Sequence, residues 1–329
     1  MKKILVFEPN YLGDILMTTP ALKLLRKSFT DADIIALIDE KYQEAVSGYV
    51  NTTIIKKGKL GLIRRTILFV SEIKSIKPDI AVLLRTTFAN AFICRMVGIK
   101  EIVGVDTEFS KLFLDKYIKY DKKRPFYKEY VEIVKLLKPV NNVSYDLEFI
   151  VNESDKSYIG ALFKECGIKP DEKYIVIAPG TTRKSKMWPV ENYTSLINEL
   201  RDYRIIITGN KREIQPVEII RVPNVVSIVG KTNIKQLAAL LSNAELVISP
   251  DSGTLFLAVA VGARTIGLFG STDPALYGPY KENTVIMYDK PECGPCYKVN
   301  CPKGFPAPCL SKIKVNQVLN VCRKLLEKT

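Results

Sequence analysis

The chain has 329 residues, more than one ordinary hydrophobic core takes and about what two need, and its 47% apolar content can fill both. Its net charge is +14 and it has no histidine, which excludes Ser-His-Asp and Cys-His catalysis, imidazole metal ligands and a histidine general base. Proton transfer near neutral pH then falls to a carboxylate, lysine, cysteine or tyrosine.

A basic excess of this size favours an anionic partner, a phosphorylated substrate or an acidic membrane, unless it only reflects a lysine-rich proteome. The basic residues are spread along the chain and no zinc-finger or RNP pattern occurs, so nucleic acid is not an expected partner. The opening "MKKILVFEPN" has an apolar run only from Ile4 to Phe7, ended by Glu8, which is too short for a signal peptide. No window approaches ~18 uninterrupted apolar residues. A cytoplasmic protein is the expectation.

In chain order, "ILVF" (4–7) reads as a strand before a helical pattern over 12–28. "DIIALID" (33–39) follows, then a helix over 60–76, "DIAVLL" (79–84), a helix over 87–97 and "EIVGV" (101–105). Residues 110–150 are less regular, with a charged, aromatic loop (118–130) running into a helix near 126–138. The rhythm restarts with strand-like runs at 174–180, 204–210, 225–230, 246–251 and 265–270, and helical segments at 191–201, 211–220, 233–242 and 253–261. Alternation of this kind predicts α/β architecture: two Rossmann-like, doubly wound parallel sheets, domains 1–152 and 153–329, facing across a cleft. The last helical pattern, 313–326, has the option of packing back on the first domain. Ligands of such sheets bind outside the carboxyl ends of the strands.

Three strand ends carry chemistry. Asp14 lies where the first helix begins. It is either a first-turn acid stabilising that helix by about 1 kcal/mol or a general base whose ionised form the helix N-terminus favours. Gly13 beside it lets a backbone approach a ligand closely, and Thr18 and Thr19 are weaker contact candidates one turn on. "PGTTRKSKMWP" (179–189) is no Walker A loop, since the Gly-Lys-Ser/Thr ending is missing, yet Thr181 and Thr182 with the charges of Arg183, Lys184 and Lys186 suit a diphosphate neutralised by side chains; a solvated basic loop is the alternative. "SPDSGT" (249–254) runs a strand into a helix start, where Ser252, Gly253 and Thr254 offer free N–H groups to a diphosphate, unless the stretch is an ordinary helix cap. No G-x-G-x-x-G follows a strand, which speaks against a dinucleotide oxidoreductase. Cys293, Cys296, Cys301 and Cys309 cluster as C-x2-C-x4-C-x7-C, a spacing that suggests a structural zinc or an iron–sulfur site ahead of disulfides, with free thiols the alternative.

Taken together, "YLGDILMTTPALKLLRKSF" (11–29), "APGTTRKSKMWPVENYTSLINEL" (178–200) and "SPDSGTLFLAVAVGARTIGLFGSTDP" (249–274) resemble the bacterial heptosyltransferases, glycosyltransferase family 9, in the family's order and nearly end to end. The resemblance implies the GT-B architecture and an inverting, metal-independent glycosyltransferase with no cofactor required for catalysis. Its donor would be a nucleotide-diphosphate sugar, ADP-heptose, and its acceptor the inner core of lipopolysaccharide at the cytoplasmic face of the inner membrane, with transient contact to that surface. It makes Asp14 the base, Lys186 a phosphate contact and Asp251 a contact to the donor sugar's hydroxyls. Glu213 falls near the ribose and Thr232 near the adenine, and the cysteine-rich segment takes a structural role. Phe256 stands where relatives often carry histidine. That departure keeps open another sugar donor, another acceptor such as a capsule glycan or a protein, or a non-catalytic nucleotide-binding protein.

Overall fold

The computed structural model describes residues 1–55, 62–107, 109–210, 222 and 224–327, with the backbone alone for 62–67. The chain forms two compact units, Met1–Leu147 and Glu148–Thr329.

The first unit runs β1 (Lys3–Phe7), α1 (Leu12–Ser28), β2 (Asp33–Ile38), β3 (Thr52–Ile55), α2 (Leu62–Ile76), β4 (Ile80–Leu83), α3 (Phe88–Met96), β5 (Glu101–Asp106), β6 (Lys116–Lys119) and α4 (Phe126–Lys135). Its six strands pair in parallel in the order β3-β2-β1-β4-β5-β6. The central strands read as unbroken apolar runs because helices cover the sheet: Ile4 to Phe7 and Ile80 to Leu83 are all buried.

The second unit runs α5 (Glu153–Glu165), β7 (Tyr174–Ile177), α6 (Val190–Glu199), β8 (Arg204–Ile207), β9 (Val225–Ser227), α7 (Ile234–Ser242), β10 (Leu246–Pro250), α8 (Gly253–Ala260), β11 (Thr265–Phe269), α9 (Pro274–Tyr277), β12 (Thr284–Tyr288), α10 (Pro308–Ser311) and α11 (Val315–Leu326). Its strands are again parallel, in the order β12-β11-β10-β7-β8-β9. Counted along each unit, the two orders are the same doubly wound order. The helix expected over 211–220 lies outside the described residues. α11 lies against α6, β10 and β11, and its Val318, Leu319 and Cys322 join the buried cluster of Ile175, Ile248 and Trp188.

The strands missing from the sequence expectation, β3, β6 and β12, are all sheet edges. β6 is "KYIK", mostly exposed, and lacks the apolar run that marks an interior strand. Among the described residues no helix is long and apolar enough to cross a membrane.

Candidate functional site

The crevice of a doubly wound sheet opens where neighbouring strands send their connections to opposite sides. In the second unit those neighbours are β7 and β10. The chain leaving β7 forms a short 3-10 turn, Lys184–Lys186, and the chain leaving β10 passes through Asp251 into α8. The two loops meet there: Lys186 Nζ lies 2.5 Å from Asp251 Oδ2, with the side chains 13% and 5% exposed. Thr272, from the turn after β11, donates its hydroxyl to the same oxygen at 2.5 Å. An acid, a base and a hydroxyl from three separate loops converge on one point. A buried ion pair loses much of its hydration, so removing either partner leaves a charge that the surroundings do not solvate.

What holds these loops in place is the segment 297–299. Ser185 N–H donates to the Val299 carbonyl at 3.1 Å, and its hydroxyl reaches both Ser271 Oγ, at 3.0 Å, and the Lys298 carbonyl. Tyr297 N–H donates to the Ser271 carbonyl at 2.8 Å. Gly270 leaves no room for a side chain, since a Cβ there would stand 2.8 Å from Leu310 Cγ and 3.0 Å from Cys309 Sγ.

α8 begins beside Asp251. Its N-cap, Ser252, is extended (φ −146°, ψ 167°) but does not cap the helix with its side chain; the hydroxyl pairs with Ser249 Oγ at 3.0 Å. The first-turn N–H groups of Gly253 and Thr254 therefore have no side-chain cap, and both residues are half-buried. Thr181 is buried, with its hydroxyl oxygen 3.5 Å from the Arg183 N–H, while Thr182 is exposed. Phe256 is buried within α8. Trp188 packs edge-on against Tyr193 at 4.8 Å and donates its indole N–H to the Ile313 carbonyl at 2.9 Å, which is a packing role. Thr232 is half-buried in the turn before α7 and is not among the side chains that meet at the Lys186–Asp251 group. Glu213 lies outside the described residues.

In the first unit Asp14 and Gly13 are half-buried in the first turn of α1, whose N-cap Tyr11 supplies no side-chain cap. A second carboxylate, at the residue that ends the apolar run of β1, meets the same helix. Glu8 is buried at the end of β1, and Thr18 Oγ1 lies 2.9 Å from its Oε2 and 2.7 Å from the Ile15 carbonyl. Thr19 is also buried and donates to the Leu16 carbonyl at 2.8 Å, so both threonine hydroxyls are turned inward. The signal for Glu8 was its spacing: ten residues before Thr18, it faces the first turns of α1 across the β1–α1 loop.

The expected structural metal is not supported. Among the described residues no three Cys, His, Asp or Glu side chains are placed to hold an ion. All four clustered cysteines are free: Cys293 is exposed, Cys296 and Cys301 are half-buried, and Cys309 is turned into the core of the second unit. Burial pushes the Cys309 thiol up from its usual value, and the neighbouring Cys301 and Cys296 thiols add to that shift. This stretch is tied down instead by the backbone hydrogen bonds of residues 297–299.

A family model described as glycosyltransferase family 9 (heptosyltransferase) matches residues 69–305. The chain is 23% identical to lipooligosaccharide heptosyltransferase 2 of Campylobacter jejuni over 99% of this chain and 98% of that protein. Among solved structures it is similar to a family 9 glycosyl transferase from Veillonella parvula, with a TM-score of 0.84, 23% identity and coverage of 100% and 98% of the two chains. It is also similar to an Escherichia coli heptosyltransferase solved with ADP-2-deoxy-2-fluoro heptose, with a TM-score of 0.72, 19% identity and coverage of 98% and 99%. At these identities the structural likeness establishes a common fold, the GT-B arrangement of two Rossmann-like domains.

Proposed function

Since this chain belongs to glycosyltransferase family 9, the heptosyltransferases, we propose that it is the transferase that moves heptose from ADP-heptose to the inner core of lipopolysaccharide. The observation that carries this reading is the convergence of Lys186, Asp251 and Thr272 at the switch point of the second sheet, beside the uncapped start of α8. That group offers a cation and backbone N–H groups to a diphosphate, and a carboxylate to sugar hydroxyls.

In this reading Asp14 takes the proton of the acceptor hydroxyl as its oxygen bonds to the anomeric carbon. The bond from that carbon to the phosphate oxygen breaks, and ADP leaves with the electron pair. Attack opposite the leaving group inverts the anomeric centre. Lys186 and the N–H groups of Ser252, Gly253 and Thr254 stabilise the charge that develops on the diphosphate, so no catalytic metal is required. Thr181 and Thr182 line the phosphate loop, Gly13 admits the acceptor, and Thr232 and Glu213 belong to the nucleoside end of the donor. The setting is the cytoplasmic face of the inner membrane, where the net charge of +14 suits an acceptor carrying phosphates and carboxylates. The test is release of ADP and transfer of heptose to a deep-rough lipid acceptor. Transfer by wild-type protein and its loss in Asp14→Asn support the reading; undiminished turnover by Asp14→Asn removes Asp14 as the base.

Phe256 favours a second reading, in which the same site uses another nucleotide sugar or another acceptor. Phe256 is buried and donates no hydrogen bond, at the position where the resemblance to the family implies a histidine. A panel of nucleotide sugars, assayed for turnover with one acceptor, separates the two.

A further inference from the structure

The first unit carries an apolar surface that its own core does not use. α3 places Phe88, Phe92 and Met96 at four-residue spacing, on one face of the helix, and all three are exposed. The face is already assembled: the Phe88 and Phe92 rings stack at 6.2 Å, and Phe113 meets them edge-on at 5.3 and 5.4 Å. The 3-10 turn Ser110–Leu112, which packs on α3, adds Phe109, 76% exposed, and Leu112, 69% exposed. Phe109 sits at φ 64°, in the left-handed region that a bulky residue rarely adopts, with its ring in solvent. Single exposed apolar side chains are ordinary, but a continuous set of this kind marks an interaction surface.

Charge decides what covers it. Lys111 lies between Phe109 and Leu112 in the chain, Lys119, Lys122 and Lys123 lie on and just after the edge strand β6, and Arg85 precedes α3. All five are exposed and make no ion pair among the described residues. The nearby acids are engaged: Asp115 with Arg95 at 2.9 Å, Glu101 with Lys116 at 2.7 Å, and Asp121 with Arg124 at 3.9 Å. Asp106 and Glu108 are the two further acids of this stretch in the sequence, against these five cations. An apolar face flanked along the chain by more unpaired cations than acids disfavours a second copy of itself. It matches an anionic lipid surface, with rings at the acyl boundary, the exposed Tyr117 and Tyr120 at headgroup level and lysines on phosphates.

We infer that the α3 face and the turn after β5 dock this chain on an anionic membrane. The inference rests on the proposed function in one respect: Phe88, Phe109 and the start of α1 with Asp14 all lie at the carboxyl edge of the first sheet, so a docked unit meets a lipid-linked acceptor at the end where Asp14 waits.

The experiment is flotation of the full chain with vesicles of phosphatidylcholine alone or of phosphatidylcholine and phosphatidylglycerol in equal parts, at low and high salt. The wild type floats with the mixed vesicles at low salt and much less with the neutral ones. Phe109→Ser/Leu112→Ser lowers partition at least about tenfold, and Lys119→Glu/Lys122→Glu lowers it by about fivefold per charge. Both sets lie at the surface, so circular dichroism and Tm stay at wild-type values, and ADP release with an acyl-free core oligosaccharide is unchanged. No flotation of the wild type with mixed vesicles, undiminished flotation of both variants, or a concentration-dependent dimer that Phe109→Ser/Leu112→Ser abolishes overturns the inference. If the wild type floats but turns over no ADP-heptose, the transferase reading fails and the docking surface stands.

Discussion

The two units share a strand order and differ in what their loops place at the switch point. In each, six parallel strands are wound the same way and the first and fourth strands of the unit are neighbours, β1 beside β4 and β7 beside β10. The second unit fills its crevice with a tight polar group, Asp251 held by Lys186 and Thr272 and braced by residues 297–299. The first unit has an acid on a first helical turn, Asp14, and a second, buried acid, Glu8, held by Thr18. Topology fixes where a ligand can bind, and loop chemistry fixes which ligand. The polar group of the second unit suits a charged donor fixed in one pose. The first unit instead presents a half-buried carboxylate on a first helical turn that has no side-chain cap.

The sharpest way to break this contrast is Asp14→Asn. If the first unit supplies the base, kcat falls by about 10²–10⁴-fold while the donor KM moves little. Steady-state ADP release checks both numbers, and a change confined to KM would assign Asp14 to binding instead. The second unit answers to Lys186→Met, which leaves the Asp251 carboxylate buried and uncompensated and costs about 3–5 kcal/mol of stability. The double variant Lys186→Met/Asp251→Leu replaces the whole pair by apolar groups and recovers most of that loss in denaturant unfolding. Activity stays absent in both. Recovery of activity along with stability would make the pair a structural feature only.

How much of this was legible in the sequence follows the physics of each element. Interior strands such as "ILVF", "YIVI" and "LVISP" declare themselves because both faces are buried. The edge strands β3, β6 and β12 do not, because half-exposed strands carry mixed residues. Lys186 and Asp251 were each visible in a strand-end motif, but their contact was not, since 65 positions of chain separate them and only the pairing of β7 with β10 brings them together. Thr272 is less legible still. Its hydroxyl meets Asp251 because β11 runs in register with β10, Leu268 opposite Pro250, and that register is not written in either motif. The cysteine spacing pointed to a metal site, and the folded chain instead turns Cys309 into the core.

The first unit also buries an acid that makes no ion pair among the described residues. Glu129 on α4, the helix that packs along α1, has its Oε2 buried without a hydrogen-bond partner among the described residues. Burial raises its carboxyl to about 7, against an opposing effect of Arg124. The folded chain therefore holds a proton that the unfolded chain, with an ordinary value of 4.5, has released. Stability falls as pH rises from about 4.5 to about 7 and levels off above, by on the order of 1–3 kcal/mol. Glu129→Gln removes that slope, so its Tm exceeds the wild type's at pH 8 and matches it at pH 4. Equal pH profiles for the two proteins would show that Glu129 is ionised in the fold.

The smallest effect tests the finest detail of the second unit. Thr272→Val keeps the shape of the side chain and deletes the hydroxyl that donates to Asp251 Oδ2. Lys186 still occupies that oxygen, so the carboxylate keeps a partner and the fold loses only about 1 kcal/mol. What the variant loses is a fixed carboxylate orientation. If Asp251 must point at the donor sugar, the donor KM rises about fivefold with kcat within about twofold of wild type, and Thr272→Ser restores both. A structural role alone would lower Tm and leave KM untouched. The split between KM and Tm therefore decides whether the second unit's polar group is built to bind a sugar or only to tie three loops together.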